Sequence, residues 1–306
     1  MMLYKCKECD DDFNSERGLH AHLKKHKISV ADYYSKHFPR FDLYTNKPLK
    51  FKSVAHYFTT NFNSMSNFRR WCEKNDQNEV KEYLVKEMQN KTKEKGLSYV
   101  MGSLQLQTYG WPDTHKIKQL FGSYREFCRL VGQPPQFGTP APKSFYADHS
   151  KAEIWIDTRE KKPLDFINPT KKIKLDSGDY TVGGDAFSHT FVDRKSAADF
   201  VGTMTQEPER FKREIQRCAD IGGYMFIVVD ASVDSISAEL AFARSRTNIQ
   251  HVWHNMREIL NEFAGDCQFV FSGGRAESSI LIPKLLICGQ EVWKVDIQHY
   301  VDEETL

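Results

Sequence analysis

Cys6, Cys9, His22 and His26 constrain the fold of this 306-residue chain more tightly than any other feature. Their spacing is Cys-x2-Cys-x12-His-x3-His, and two thiolates and two imidazoles so placed can complete a tetrahedral Zn²⁺ shell. Phe13 and Leu19 fall where a small core around the metal needs apolar groups. A ββα unit this short cannot bury enough surface to fold unaided, so such a metal is structural. The cysteines number seven, odd and scattered after the first pair. That suits metal binding plus reduced intracellular thiols rather than a disulfide framework.

Residues 4–27 thus resemble a Cys2His2 zinc finger, and residues 1–27 are read as that domain. In this finger class bases are contacted from helix positions −1, 3 and 6, here Ser15, Gly18 and Ala21. None can form the bidentate contacts that carry most base discrimination. Lys24, Lys25 and Lys27 can hold phosphates, so the finger reads as a docking element on DNA or protein. His20 is read as a surface residue.

Residues 28–76 interleave aromatics such as Tyr33, Tyr34, Tyr57, Phe68 and Trp71 with basic residues such as Lys36, Arg40 and Arg69. Aromatics can stack on exposed bases, but the same pattern also builds the core of a small helical module, the reading preferred here. Residues 77–133 read as helices, with Val80, Tyr83, Leu84 and Met88 on one face. Asp113-Thr114 can cap a helix through Ile117 and Leu120, and a second helix follows Gly122-Ser123 and ends near Gly132. Residues 100–133 resemble the short helical repeats found beside homing endonuclease domains. Those repeats are thought to bind DNA in a helix-turn-helix-like manner, which implies DNA contacts from His115, Lys116 and Lys118.

Pro134, Pro135, Pro140 and Pro142, with Gly138 among them, exclude a helix and predict an extended linker over 134–150. Charge divides near the same place. Residues 1–150 carry 24 Lys and Arg against 16 Asp and Glu, net +8; the rest carry 19 against 25, net −6. A basic front half joined to a carboxylate-bearing back half suits a nucleic-acid-binding module tethered to a metal site. No apolar run approaches the ~20 residues of a membrane helix, and the N-terminus does not read as a signal peptide. An intracellular protein, in cytoplasm, nucleoid or nucleus, is expected.

Residues 151–306 read as one α/β domain. Strands are predicted at 153–157, 179–182, 190–194, 224–230, 268–272 and 291–297, and helices after Glu207-Pro208 and over 249–263. Arg210, Arg213 and Arg217 form a basic helix stripe that can grip phosphates. The chemistry concentrates in Gly178-Asp179 and Asp193-Arg194-Lys195. Side chains alternate along a strand, so Asp193 and Lys195 share a face. Two carboxylates can hold a divalent cation while the lysine stays beside a scissile phosphate. Asp157 and Glu160 offer further carboxylates upstream.

Together, Asp157-x-Arg159-Glu160, Gly178-Asp179 and Asp193-Arg194-Lys195, with Asp199 four residues on, resemble the nuclease domain of the XPF family. Asp193 stands where that family usually has Glu. The resemblance implies a restriction-endonuclease-like α/β fold and a domain that commonly dimerises. It also implies metal-dependent phosphodiester hydrolysis, with Asp157, Asp179 and Asp193 on Mg²⁺ or Mn²⁺ and Lys195 and Glu160 assisting. Neither a helicase motif nor a tandem helix-hairpin-helix region is seen, and the expected DNA-binding elements precede the nuclease. The expectation is a site-directed endonuclease of homing, phage or mobile-element type. The alternatives are a structure-specific repair or recombination nuclease on branched DNA, and a non-catalytic DNA-binding regulator.

Overall fold

The computed structural model describes residues 4–184, 187–242 and 247–303. It divides into two units, Met1–Glu82 and Tyr83–Leu306.

In the first unit, β1 (Tyr4–Lys5) pairs antiparallel with β2 (Asp12–Phe13), and α1 (Glu16–His22) follows. Ser15 opens α1 by accepting the Gly18 N–H. The same device opens α2 (Val30–His37), α3 (Val54–Thr59) and α4 (Met65–Lys74), at Ser29, Ser53 and Ser64. The aromatics of residues 28–76 do form a core: Tyr33, Tyr34, Tyr57, Phe68 and Trp71 are buried. That core is continuous with the ββα unit, because Cys6, Leu19 and Leu23 pack with Tyr33, Tyr34, Leu49 and Tyr57. The Tyr33 hydroxyl accepts from Lys7 N and donates to the Lys5 carbonyl, and Glu8 pairs with Lys36 and His37. His20 departs from expectation for this reason: it is half-buried, 3.2 Å from the Tyr34 hydroxyl.

Helix α5 (Gln77–Lys95) contains the division between units. Beyond it come α6 (Ser103–Tyr109), α7 (Thr114–Phe121) and α8 (Tyr124–Val131). Asp113 caps α7, Ser123 caps α8, and Gly132 ends α8 at φ +87°, a left-handed conformation that glycine adopts without strain.

The centre of the second unit is a mixed six-stranded sheet. Its strands are β3 (Ile154–Asp157), β4 (Thr170–Ile173), β5 (Tyr180–Val182), β6 (Thr190–Lys195), β7 (Tyr224–Val229) and β8 (Cys267–Phe271). They lie in the order β4-β3-β5-β6-β7-β8, with β5 antiparallel to both its neighbours and the other pairs parallel. Alternation sorts the side chains. Phe191, Met225, Ile227 and Phe269 face a core shared with α9 (Ala197–Gln206), α10 (Pro208–Asp220), α11 (Val233–Phe242) and α12 (Ile249–Glu262). Val192, Tyr224, Phe226 and Val270 face the opposite core, filled by α13 (Arg275–Cys288).

Three features differ from expectation. Strand β4 was not foreseen: its Lys171 and Lys172 are exposed, and a lysine-bearing edge strand lacks apolar alternation while resisting edge-to-edge pairing. No strand forms over 291–297. A 3₁₀ turn (Gly289–Val292) leads into α14 (Ile297–Asp302), and Val292, Val295 and Ile297 are buried without strand pairing. The backbone past β8 is met instead by side-chain amides: Gln268 bonds Val295 O and Ile297 N, while Gln298 bonds both backbone groups of Phe271. The proline-rich stretch is neither extended throughout nor a free tether, since Lys143–Tyr146 forms a 3₁₀ turn. Thr139 N donates to Lys294 O, Ala141 N donates to the Tyr300 hydroxyl, and Phe145 is wholly buried in the α13-side core. Among the described residues, no helix is long and apolar enough to cross a membrane.

Candidate active site and metal centre

Cys6, Cys9, His22 and His26 converge so that their ligand atoms all lie within 4.8 Å of one another. Cys6 Sγ is 3.7 Å from His26 Nε2, Cys9 Sγ is 3.1 Å from His22 Nε2, and the two imidazole nitrogens are 2.9 Å apart. Tetrahedral zinc with ligands at ~2.0–2.3 Å needs ligand separations of about 3.3–3.8 Å, so the donor set fits zinc after a small expansion. Lys24 and Lys25 lie on the turn beside it, Lys24 exposed.

In the second unit, β5 and β6 open onto a cleft of about 630 Å³. Gly178 sets its floor. At φ +65° it brings the chain against the Val192 carbonyl, which an added Cβ would meet at 2.8 Å. That close approach lets Asp179 N donate to Val192 O at 2.7 Å, while the Asp179 carboxylate accepts from Arg194 N at 2.8 Å. Asp179 therefore lies beside Asp193 across the ladder, since Tyr180 pairs with Val192. Burial, and next the charge of Asp193, push the Asp179 carboxyl up to about 7, against the opposing pull of the Arg194 N–H. Lys195 Nζ lies 3.2 Å from Asp193 Oδ1 and over the Phe211 ring.

Glu160 also lines the cleft, as do Asp199, Arg210 and Arg217. Asp199 is partly engaged elsewhere, because it forms the reciprocal cap of α9 with Ser196. Arg210 leans on Glu207 and Glu214, and Arg213 does not line the cleft. Asp157 does not join the group. It is 1% exposed, and its carboxylate takes the Arg159 guanidinium at 2.6 and 3.0 Å plus the N–H groups of Arg159 and Leu175. Burial would raise this carboxyl, but those donors outweigh it and hold it below the usual range. With both its oxygens occupied by protein donors, Asp157 braces the loop after β3.

His115 is exposed on α7 and bonded to Gln119, and Lys116 and Lys118 lie on the same helix. Spacing alone could not reveal the cleft's three other acids, Asp176, Glu207 and Glu214. Glu214 reaches it only through the docking of α10 on the sheet. Asp176, three residues before Asp179, had no patterned partner.

The fold and site define an α/β unit with an acid-and-lysine cleft, in a chain that also carries a Cys2His2 unit fit for zinc. No family model and no curated protein matches the chain. Among solved structures it is similar to XPF from Aeropyrum pernix, at TM-score 0.35 and 18% identity over 44% of this chain and 59% of that one. The same protein in complex with DNA aligns at TM-score 0.35 and 17% identity, over 44% and 64% respectively. The chain thus spans less than two thirds of each.

Proposed function

We propose that the protein is a divalent-metal-dependent DNA endonuclease whose reaction takes place in the β5–β6 cleft. The observation that carries this reading is the pairing of Asp179 with Asp193 beside Lys195. Burial, and next the charge of Asp193, hold a proton on Asp179 to about pH 7, and a cation received between the two carboxylates would offset both. Asp179, Asp193 and Glu160 offer the hard oxygens that suit Mg²⁺ or Mn²⁺. Such an ion, when bound, polarises a phosphate and acidifies water. The chain's own groups do the rest. Lys195, steadied by Asp193 and the Phe211 ring, neutralises charge on the phosphate or orients the attacking water. Arg210 and Arg217 hold flanking phosphates, and Asp157 acts only by fixing Arg159 and the loop bearing Glu160. Lys24, Lys25, His115, Lys116 and Lys118 supply phosphate contacts away from the chemistry. The zinc unit serves as a docking element, and pairing of two chains through the sheet unit follows the motif resemblance.

Site-directed cutting of homing type was expected from DNA-binding modules placed before the nuclease and joined to it by an extended linker. Anchoring of residues 134–150 favours the second reading, a structure-specific nuclease. Ser103 bonds Asp296 and Arg257 bonds Thr108 O, so α6 is fastened to the elements around the sheet. Helices fastened to the unit that carries the cleft, rather than hung from a free linker, can gauge the shape of DNA.

Purified protein incubated with supercoiled plasmid and with branched DNA, in Mg²⁺ or Mn²⁺, tests both. Asp179→Ala should lose about 10³-fold in cleavage rate and Lys195→Ala about 10²-fold or more, with DNA binding retained. Cleavage by Lys195→Ala equal to the parent's would remove the lysine from the chemistry. Tight binding without cleavage of either substrate would leave a DNA-binding regulator.

A further inference from the structure

Behind the cleft, on the other face of the sheet, lies a group of charges that the chemistry above does not use. Alternation along β6 sends the Asp193 and Lys195 side chains into the cleft, where Arg194 contributes its backbone N–H to Asp179, and sends the Arg194 side chain, only 7% exposed, to the α13 side with that of Val192. There it meets Asp230, at the end of β7, and Arg275, the first residue of α13. Asp230 Oδ2 is 3.6 Å from Arg194 Nε and 3.8 Å from Arg275 Nη1, and Asp230 Oδ1 accepts from Ser278 Oγ at 2.6 Å. Among the described residues, neither Asp230 Oδ2 nor Arg194 Nε has a hydrogen-bond partner. A buried ion pair so loosely joined is a poor source of stability.

The two guanidinium groups do have hydrogen-bond partners, and both reach the same short loop. Arg194 Nη1 donates to the Lys162 carbonyl at 3.1 Å. Arg275 Nη2 donates to Lys162 O at 3.2 Å and to Pro163 O at 2.9 Å. These carbonyls follow Glu160 by two and three residues, and Glu160 Oε1 accepts from Lys162 N at 2.6 Å. One acid thus sits between two arginines from different elements, and those arginines grip the turn that aims Glu160.

We propose that Arg275 and Arg194, held in place by Asp230, are positioning residues that fix the Glu160 loop against the strand carrying Asp193 and Lys195. The proposal rests on the nuclease reading for its catalytic consequence, though not for its structural one. The Asp230 N–H also donates to Lys195 O at 2.9 Å, so one residue ties the far-side charges to the end of the catalytic strand. A misplacement of about 1 Å at a reacting group is enough to cost on the order of 10²-fold in rate.

The test is a double-mutant cycle in DNA cleavage, with amide hydrogen exchange measured on the same proteins. Arg275→Ala should lower kcat by about 10- to 100-fold and leave KM for DNA within about twofold. Arg275→Lys, which keeps one donor and the charge, should recover part of that loss. Combined with Glu160→Gln, Arg275→Ala should add little, because both changes spoil the same group. Fully additive losses, or parental kcat in Arg275→Ala, would overturn the proposal. Exchange at residues 158–165 should rise about 10-fold or more in Arg275→Ala, as expected for a loop released from its anchor, and unchanged exchange there would overturn the clamp itself. A parent protein that cuts no DNA would instead defeat the nuclease reading, while exchange would still decide whether the clamp exists.

Discussion

The two charged centres of this protein are built on opposite plans. In the first unit, thiolates and imidazoles converge on one point from a ribbon and a helix, and the shell they form is closed. In the second, carboxylates spread over the ends of three strands. One of them, Asp157, is fully occupied by protein donors, and another, Asp179, is held protonated to about pH 7 by burial and the neighbouring Asp193. On the nuclease reading proposed above, the contrast is between a metal that would make a fold and one that would serve a reaction: the first needs every ligand from the chain, the second needs room for substrate and water.

Removing zinc should produce the largest effect. Structural zinc shells are worth on the order of 10 kcal/mol, and Cys6 and Leu19 share their core with Tyr33 and Tyr57. Chelation, or Cys9→Ala, should therefore melt the first unit through Tyr57 while the sheet unit keeps its own cooperative transition. Limited proteolysis with mass mapping reads this directly. Loss of both units together would break the distinction.

The pH dependence comes next. Folded Asp179 keeps its proton to about pH 7, whereas an unfolded carboxyl releases it near 3.8. The folded state binds the extra proton between those values, so metal-free stability should fall as pH rises from about 4 to 7, by at most about 4 kcal/mol. Asp157 does not contribute above about pH 5, since its carboxyl is held low. Melting temperatures at about pH 5 and pH 8, for the parent and Asp179→Asn, isolate the effect. It should vanish in the variant and shrink when Mg²⁺ or Mn²⁺ is added to the parent. A parent slope matching that of Asp179→Asn would mean that the folded chain does not hold a proton on Asp179.

The smallest effect sharpens the contrast within the row of acids itself. Asp157→Asn should cost about 2 kcal/mol in stability, because a buried acceptor for the Leu175 and Arg159 N–H groups is weakened. Asp179→Asn should cost nothing or stabilise. A denaturant midpoint that moved the other way for either residue would exchange their roles.

Much of the cleft was readable in sequence because strand periodicity is local. Asp193 and Lys195 had to share a face. Asp157 misled, since its motif position said nothing of Arg159 folding back on it or of Leu175 N lying within reach. Helix α13 was hidden by Pro283, which breaks the expected pattern although the helix continues through it. The run 291–297 has strand composition, yet its apolar residues are buried without a strand because glutamine amides already meet the backbone beyond β8.

Sequence alone determined what depends on spacing along the chain: the Cys2His2 ligands, the serine and aspartate caps, and the facing of Asp193 with Lys195. Ligand spacing, capping and alternation are set within a few residues, so they survive without knowledge of the rest. Tertiary structure alone decided which carboxylates stand open and which are filled. It also decided that residues 134–150 are fastened down, and that Arg194 and Arg275 meet over one loop. Those outcomes depend on groups far apart in sequence competing for the same buried donors and acceptors, and only the packed chain brings them into competition.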